Sequence, residues 1–194
     1  MFRRQKGLSF YKKKKKIDSN ILKEILSWIF SVLVAILLAF VCVHSFGLKT
    51  SVIGASMEPA LYNGQEILIN RLIYQVSAPK RDDIVVFLPN GNHNTHFYVK
   101  RVVALPGENV QIRDGKLYVD DVLKEDISYD KIADAGIAEN PIHLDVDEYF
   151  VLGDNVNSSE DSRSGNIAAV KKDTILGKVW FKMASRDSGL GLVK

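Results

Sequence analysis

Two side chains in this sequence can be paired as a nucleophile and its base, Ser56 and Lys100. Ser56 lies in Gly54-Ala55-Ser56-Met57-Glu58-Pro59-Ala60-Leu61, where small neighbours let another backbone approach the hydroxyl. Read alone, such a serine is also an ordinary turn residue or helix cap. A serine hydroxyl attacks a carbonyl only when an adjacent base takes its proton. The four histidines, His44, His93, His96 and His143, offer no assignable relay. His44 falls in an apolar run, and His93 and His96 share a polar Asn/Gly loop whose His-x-x-His spacing suits a metal but lacks rigidity. Lys100 is the remaining candidate. In Phe97-Tyr98-Val99-Lys100-Arg101-Val102-Val103, strand alternation puts Tyr98, Lys100 and Val102 on one face. A lysine desolvated there falls below its free pKa of about 10.4 and gains a lone pair able to accept a proton. The same segment also fits a strand lysine that snorkels to water.

The elements that would position this pair begin with an apolar run. Ile25–Phe46 carries no formally charged side chain, and about 20 apolar helical residues cross the roughly 30 Å hydrocarbon layer. The run exceeds the 7–15 residues of a cleaved signal core, which favours a permanent anchor in a lipid bilayer. Nine basic residues against Asp18 and Glu24 give the first 24 residues a charge of +7. With +3 for the whole chain, the remainder carries −4. The basic cluster precedes the apolar run, so the N-terminus is expected in the cytoplasm and everything after Gly47 outside. This charge split argues against a globally basic nucleic-acid surface. Cys42 is the single cysteine, so an intrachain disulfide and a cysteine metal site are excluded. Neither metal nor cofactor is expected.

Beyond the run, short β-rich stretches follow one another: Glu66–Asn70, Asp83–Leu88, Tyr98–Ala104, Asn109–Ile112, Lys116–Val119, Tyr149–Leu152 and Lys178–Lys182. Turn signals such as Asn63-Gly64, Pro106-Gly107 and Asp114-Gly115 separate them, and the last predicts a hairpin. Glu125–Pro141 is polar and aperiodic, as expected of a surface insertion. The fold class is mostly β with one or two short helices.

These segments, taken in order, resemble the bacterial type I signal peptidases (the leader peptidase family). GASMEPAL resembles that family's serine box. Pro79–Phe87 resembles its next strand box, and Tyr98–Glu108 its lysine box. Gly153-Asp154-Asn155 followed by Asn157–Arg163 resembles the last. The resemblance implies a β-rich catalytic core with a small inserted cap, preceded by one N-terminal transmembrane helix. Residues 1–24 would be the basic cytoplasmic tail and 25–46 the anchor. Residues 47–106 and 142–194 would form the catalytic core, and 107–141 the cap.

It further implies a serine endopeptidase that cuts signal peptides from exported preproteins after small residues. Ser56 would be the nucleophile and Lys100 the general base. Ser159 matches a serine that hydrogen-bonds and orients the lysine. Asp161 and Arg163 match an ion pair beside the site, with Arg101 as third member, although all three also fit ordinary loop charges. Val52, Ile53, Met57, Leu61, Tyr98 and Val99 match positions lining shallow substrate pockets, and Met57 equally fits an ordinary core. In some relatives the position of Gly54 is a serine whose hydroxyl supports the oxyanion beside the Ser56 N–H. Gly54 leaves that second donor to water or another backbone group. Ala60 stands where threonine is usual and Asp82 where glycine is usual. A self-cleaving regulator with a Ser–Lys core would carry a DNA-binding module in place of an anchor. An inactive assembly factor would not keep both Ser56 and Lys100, and eukaryotic relatives place histidine at the base position.

Overall fold

The computed structural model describes residues 19–46, 48–91, 96–124 and 131–193. Most of the basic tail, His93, and the first part of the polar stretch at Glu125–Pro141 lie outside them. The chain divides into two compact units at Val41/Cys42.

Helix α1 spans Ser19–Phe46. It begins six residues before the apolar run because Asn20–Glu24 contains no proline or glycine to stop it. Its segment Asn20–His44 has a mean hydropathy of 2.8, and none of it is buried. Leu, Ile, Val and Phe side chains all round the helix stay exposed, including Phe30, Leu37 and Phe40. A helix apolar on every side needs an apolar surround, and this one is long enough to cross a membrane.

The second unit is built from antiparallel strands. In chain order they are β1 (Leu48–Ser51), β2 (Glu66–Asn70), β3 (Ile84–Phe87), β4 (Tyr98–Ala104), β5 (Asn109–Arg113), β6 (Lys116–Val119), β7 (Val122–Leu123), β8 (Ile142–His143), β9 (Glu148–Leu152), β10 (Val170–Lys171), β11 (Ile175–Lys182) and β12 (Gly191–Leu192), with a one-turn helix α2 (Ile73–Val76) after β2. The larger sheet runs β1-β2-β11-β3-β4-β9-β10, with β12 added to β11. The smaller runs β7-β6-β5-β8.

All seven predicted strands are present. The β5–β6 hairpin pairs Val110 with Val119 and Ile112 with Leu117, and it turns at Asp114 (φ +53°) and Gly115 (φ +75°). Two consecutive left-handed residues give a turn whose twist matches its strands. Asp82, at the glycine-like position before β3, has φ +69°. The departure from glycine therefore keeps the turn, because aspartate is among the few side chains that tolerate this conformation.

β3 is central and buried along its whole length. Its side chains alternate: Ile84 and Val86 join one core cluster, with Val52, Met57, Leu61, Ile67, Ile69, Val99 and Val179. Val85 and Phe87 join another on the opposite face, with Tyr74, Val102, Tyr149 and Val151. A third cluster packs Val110, Ile112, Leu117 and Val119 of the smaller sheet against Val103, Phe150 and Leu152. β4 touches all three, so a residue midway along it is fixed from every direction.

Candidate active site

The segment carrying Ser56 leaves β1 and is pinned before and after. The Val52 N–H donates to the Gln65 carbonyl at 2.9 Å, and the Gly64 N–H to the Val52 carbonyl at 2.8 Å. The segment then makes one turn, closed by the Leu61 N–H on the Met57 carbonyl. Residues four apart on such a turn share a face, and Met57 and Leu61 are both fully buried among Ile67 and Ile69. They anchor Ser56 from below and do not line a substrate surface, contrary to what the resemblance implies for them. On the other side, the Asn155 N–H donates to the Ser56 carbonyl at 3.0 Å. Gly153 lies so close that a Cβ there would stand 2.4 Å from the Ser56 carbonyl oxygen and 2.3 Å from Ser159 Oγ.

Lys100 projects from β4, which is held between β3 and β9. It is 4% exposed. Its Nζ lies 2.7 Å from Ser56 Oγ and 5.7 Å from the centre of the Tyr98 ring. Burial lowers its pKa to about 8, against the upward pull of the Asp161 and Glu160 carboxylates. A neutral lysine at hydrogen-bond distance from a serine hydroxyl can take its proton.

The ion pair of Asp161 and Arg163 is buried, with Arg163 Nε 2.8 Å from Asp161 Oδ1. Asp161 accepts the Gly153 N–H at 3.1 Å, and Arg163 donates to the carbonyls of Asp134, Val156 and Ser159. Together they hold the loop that presses on Ser56. Arg101 pairs with Asp154, at 2.7 and 2.8 Å, and also donates to the Asp82 carbonyl. Ser159 Oγ is buried and has no hydrogen-bond partner among the described residues, so the bond to Lys100 implied by the resemblance is not made here. The lysine amine is turned to Ser56.

A cleft of about 280 Å³ opens over Ser56 and Lys100. Val52, Ile53, Tyr98 and Val99 line it, and so do Ala55 of the serine box, His96 of the His-x-x-His loop, and Phe97, Ser158 and Glu160, to which the sequence reading assigned no role. Gly54 also lines it, with φ +84° and its N–H held by Asn63 Oδ1 at 2.9 Å.

The family described as signal peptidase, peptidase S26, matches residues 25–184. The chain belongs to this family of peptidases. Signal peptidase I P of Bacillus subtilis subsp. natto is 33% identical over 174 residues, 85% of this chain and 90% of that protein. Signal peptidase IB of Staphylococcus aureus (strain COL) is 30% identical over 178 residues, 82% of this chain and 90% of that protein. A crystal structure of a signal peptidase I from Enterococcus faecalis is 30% identical, covers 54% of this chain and 98% of its own, and aligns with a TM-score of 0.42. As a member of the signal peptidase family the chain is a hydrolase of peptide bonds. The matched interval takes in most of the apolar helix and all four sequence boxes.

Three positions bearing on the site's geometry carried no role in the sequence reading. Gly153 needs to lack a side chain, Asn155 caps the Ser56 carbonyl, and Asp154 neutralises Arg101. Their signal was the Gly-Asp-Asn tripeptide itself.

Proposed function

We propose that this chain is a membrane-anchored serine endopeptidase that removes signal peptides from preproteins, with Ser56 as nucleophile and Lys100 as general base. The observation that carries this reading is the 2.7 Å contact between Ser56 Oγ and the amine of a 4%-exposed lysine. Neutral Lys100 takes the Ser56 proton as Oγ bonds to the scissile carbonyl carbon. The oxyanion forms beside the Ser56 N–H. Protonated Lys100 then gives that proton to the leaving amine, which departs as the new N-terminus. Water, deprotonated by Lys100, hydrolyses the acyl-enzyme and restores both groups.

Specificity follows from the cleft's shape. Val52 and Val99 are buried and close-packed in the core, so its apolar wall cannot recede to admit a bulky side chain. Exclusion by size selects small residues at the first and third positions before the cut, an Ala-x-Ala-like pattern. Helix α1 spans the bilayer once, with the basic tail in the cytoplasm and residues 47–194 outside.

The test is cleavage of a signal-bearing precursor by the purified full chain in detergent, with mass spectrometry locating the cut. A single cut after a small-x-small sequence, lost in Ser56→Ala with circular dichroism unchanged, is expected. Near-normal turnover by Ser56→Ala would reject the mechanism.

A further inference from the structure

The cleft's apolar lining is interrupted at its rim by Glu160, which among the described residues is the single carboxylate facing it. Its neighbours in charge are already spent. Asp161 is paired with Arg163, and Asp154 with Arg101. Lys100 must be neutral when it acts. In the reactive state Glu160 therefore gives the cleft a negative charge that no salt bridge among the described residues offsets. Glu160 is exposed. Its carboxylate is held over the cleft by the Tyr98 hydroxyl, which donates to Oε2 at 3.2 Å. Tyr98 starts the strand bearing Lys100, and Glu160 belongs to the loop that presses on Ser56, so this bond joins the two sides of the cleft. On its far side Glu160 borders a second cavity of about 540 Å³, which leaves room for the carboxylate to swing.

A peptide bound in extended form alternates its side chains. When the first and third residues before the cut face the apolar wall of Val52 and Val99, the second faces the rim. We infer that Glu160 is a specificity-determining residue that selects a basic side chain at the second position before the cut. This inference rests on the proposed peptidase reading.

The experiment uses the full chain in detergent and three precursor peptides that differ only at that position, bearing Lys, Gln or Glu. Wild-type enzyme is expected to favour the Lys peptide over the Glu peptide by roughly tenfold in kcat/KM at low salt, since attraction and repulsion each contribute up to about fivefold at an exposed site. The preference should shrink as ionic strength rises. Glu160→Gln should flatten the ratio, and Glu160→Lys should invert it. Taking the ratio within each variant cancels any change that the lost charge imposes on Lys100. An identical Lys/Glu ratio in wild type and both variants overturns the inference while leaving the peptidase reading intact. Failure of wild type to cut all three peptides overturns that reading and this inference with it.

Discussion

Replacing Lys100 by Met should abolish cleavage and make the protein more stable at neutral pH. Burial moves the lysine pKa from 10.5 to about 8. At about 1.4 kcal/mol per pH unit, the fold carries a cost of about 3 kcal/mol for holding this group charged. The unfolded chain keeps its proton up to about 10.5 and the folded chain releases it near 8. Below pH 8 the cost is therefore fully present, and it is relieved as pH rises from 8 toward 10.5. Methionine removes the charge and fills the space, but loses the hydrogen bond to Ser56, worth about 1 kcal/mol. The net gain is about 2 kcal/mol at pH 7, or roughly 4–8 °C in Tm for a chain of this size. The gain should fade above pH 9. Lys100→Arg, which cannot become neutral, should be equally inactive and less stable than wild type. In the wild-type enzyme, kcat/KM should rise about tenfold from pH 7 to a plateau near pH 9. Thermal melts of the three proteins at pH 7 and 9.5, beside a pH–rate profile on one precursor peptide, test both statements. A Lys100→Met protein no more stable than wild type at pH 7, or a rate plateau already reached below pH 6.5, would refute a buried lysine base.

Gly153→Ala should lower kcat/KM by at least about tenfold with a smaller change in KM, since a Cβ 2.4 Å from the Ser56 carbonyl oxygen must push the nucleophile off its line; steady-state kinetics on the same peptide checks it. Asp161→Ala should cost about 3–5 kcal/mol by leaving Arg163 buried without its partner, seen as a large drop in denaturation midpoint. Protease added to intact cells stripped of their wall should digest residues 47–194 and leave a small protected fragment, and protection of the whole chain would contradict the proposed orientation.

The lysine strand was legible because its neighbours alternate. Tyr98 and Val102 do share a core cluster, as period two requires. β2, β4 and β6 have the limits expected for them, because each shows several apolar residues in register between turn signals. β7, β8, β10 and β12 are two residues long, too short for any periodicity, and exist only through their partners. The four boxes located the catalytic candidates by type and order but could not say which way side chains face. Met57 and Leu61 turn into the core because the segment coils by one turn at Met57–Leu61, a geometry that matching of motif positions does not reveal. Arg101 finds Asp154 because strands β4 and β9 pair Arg101 with Leu152, two residues before that aspartate. Such a cross-strand partner is invisible without the register.

Gly54 shows why a missing hydroxyl need not mean a missing structure. Its φ of +84° is a conformation that a side chain disfavours, and a Cβ there would meet nothing within 4 Å. The constraint is thus the backbone itself, not crowding. By turning through that angle the chain hands the Gly54 N–H to Asn63 Oδ1 and ties the stretch before the serine to the Asn63-Gly64 turn. A serine at this position could supply an extra donor only by accepting backbone strain. Glycine instead fixes the entry to Ser56, while Asn155 fixes its exit through the carbonyl. With both sides held, the Ser56 N–H has one direction in which to point. A donor already held in place costs no reorganisation as the oxyanion develops. In the proposed mechanism, rigidity around Ser56 would stand in for that missing hydroxyl, with the Gly153 loop supplying half of it.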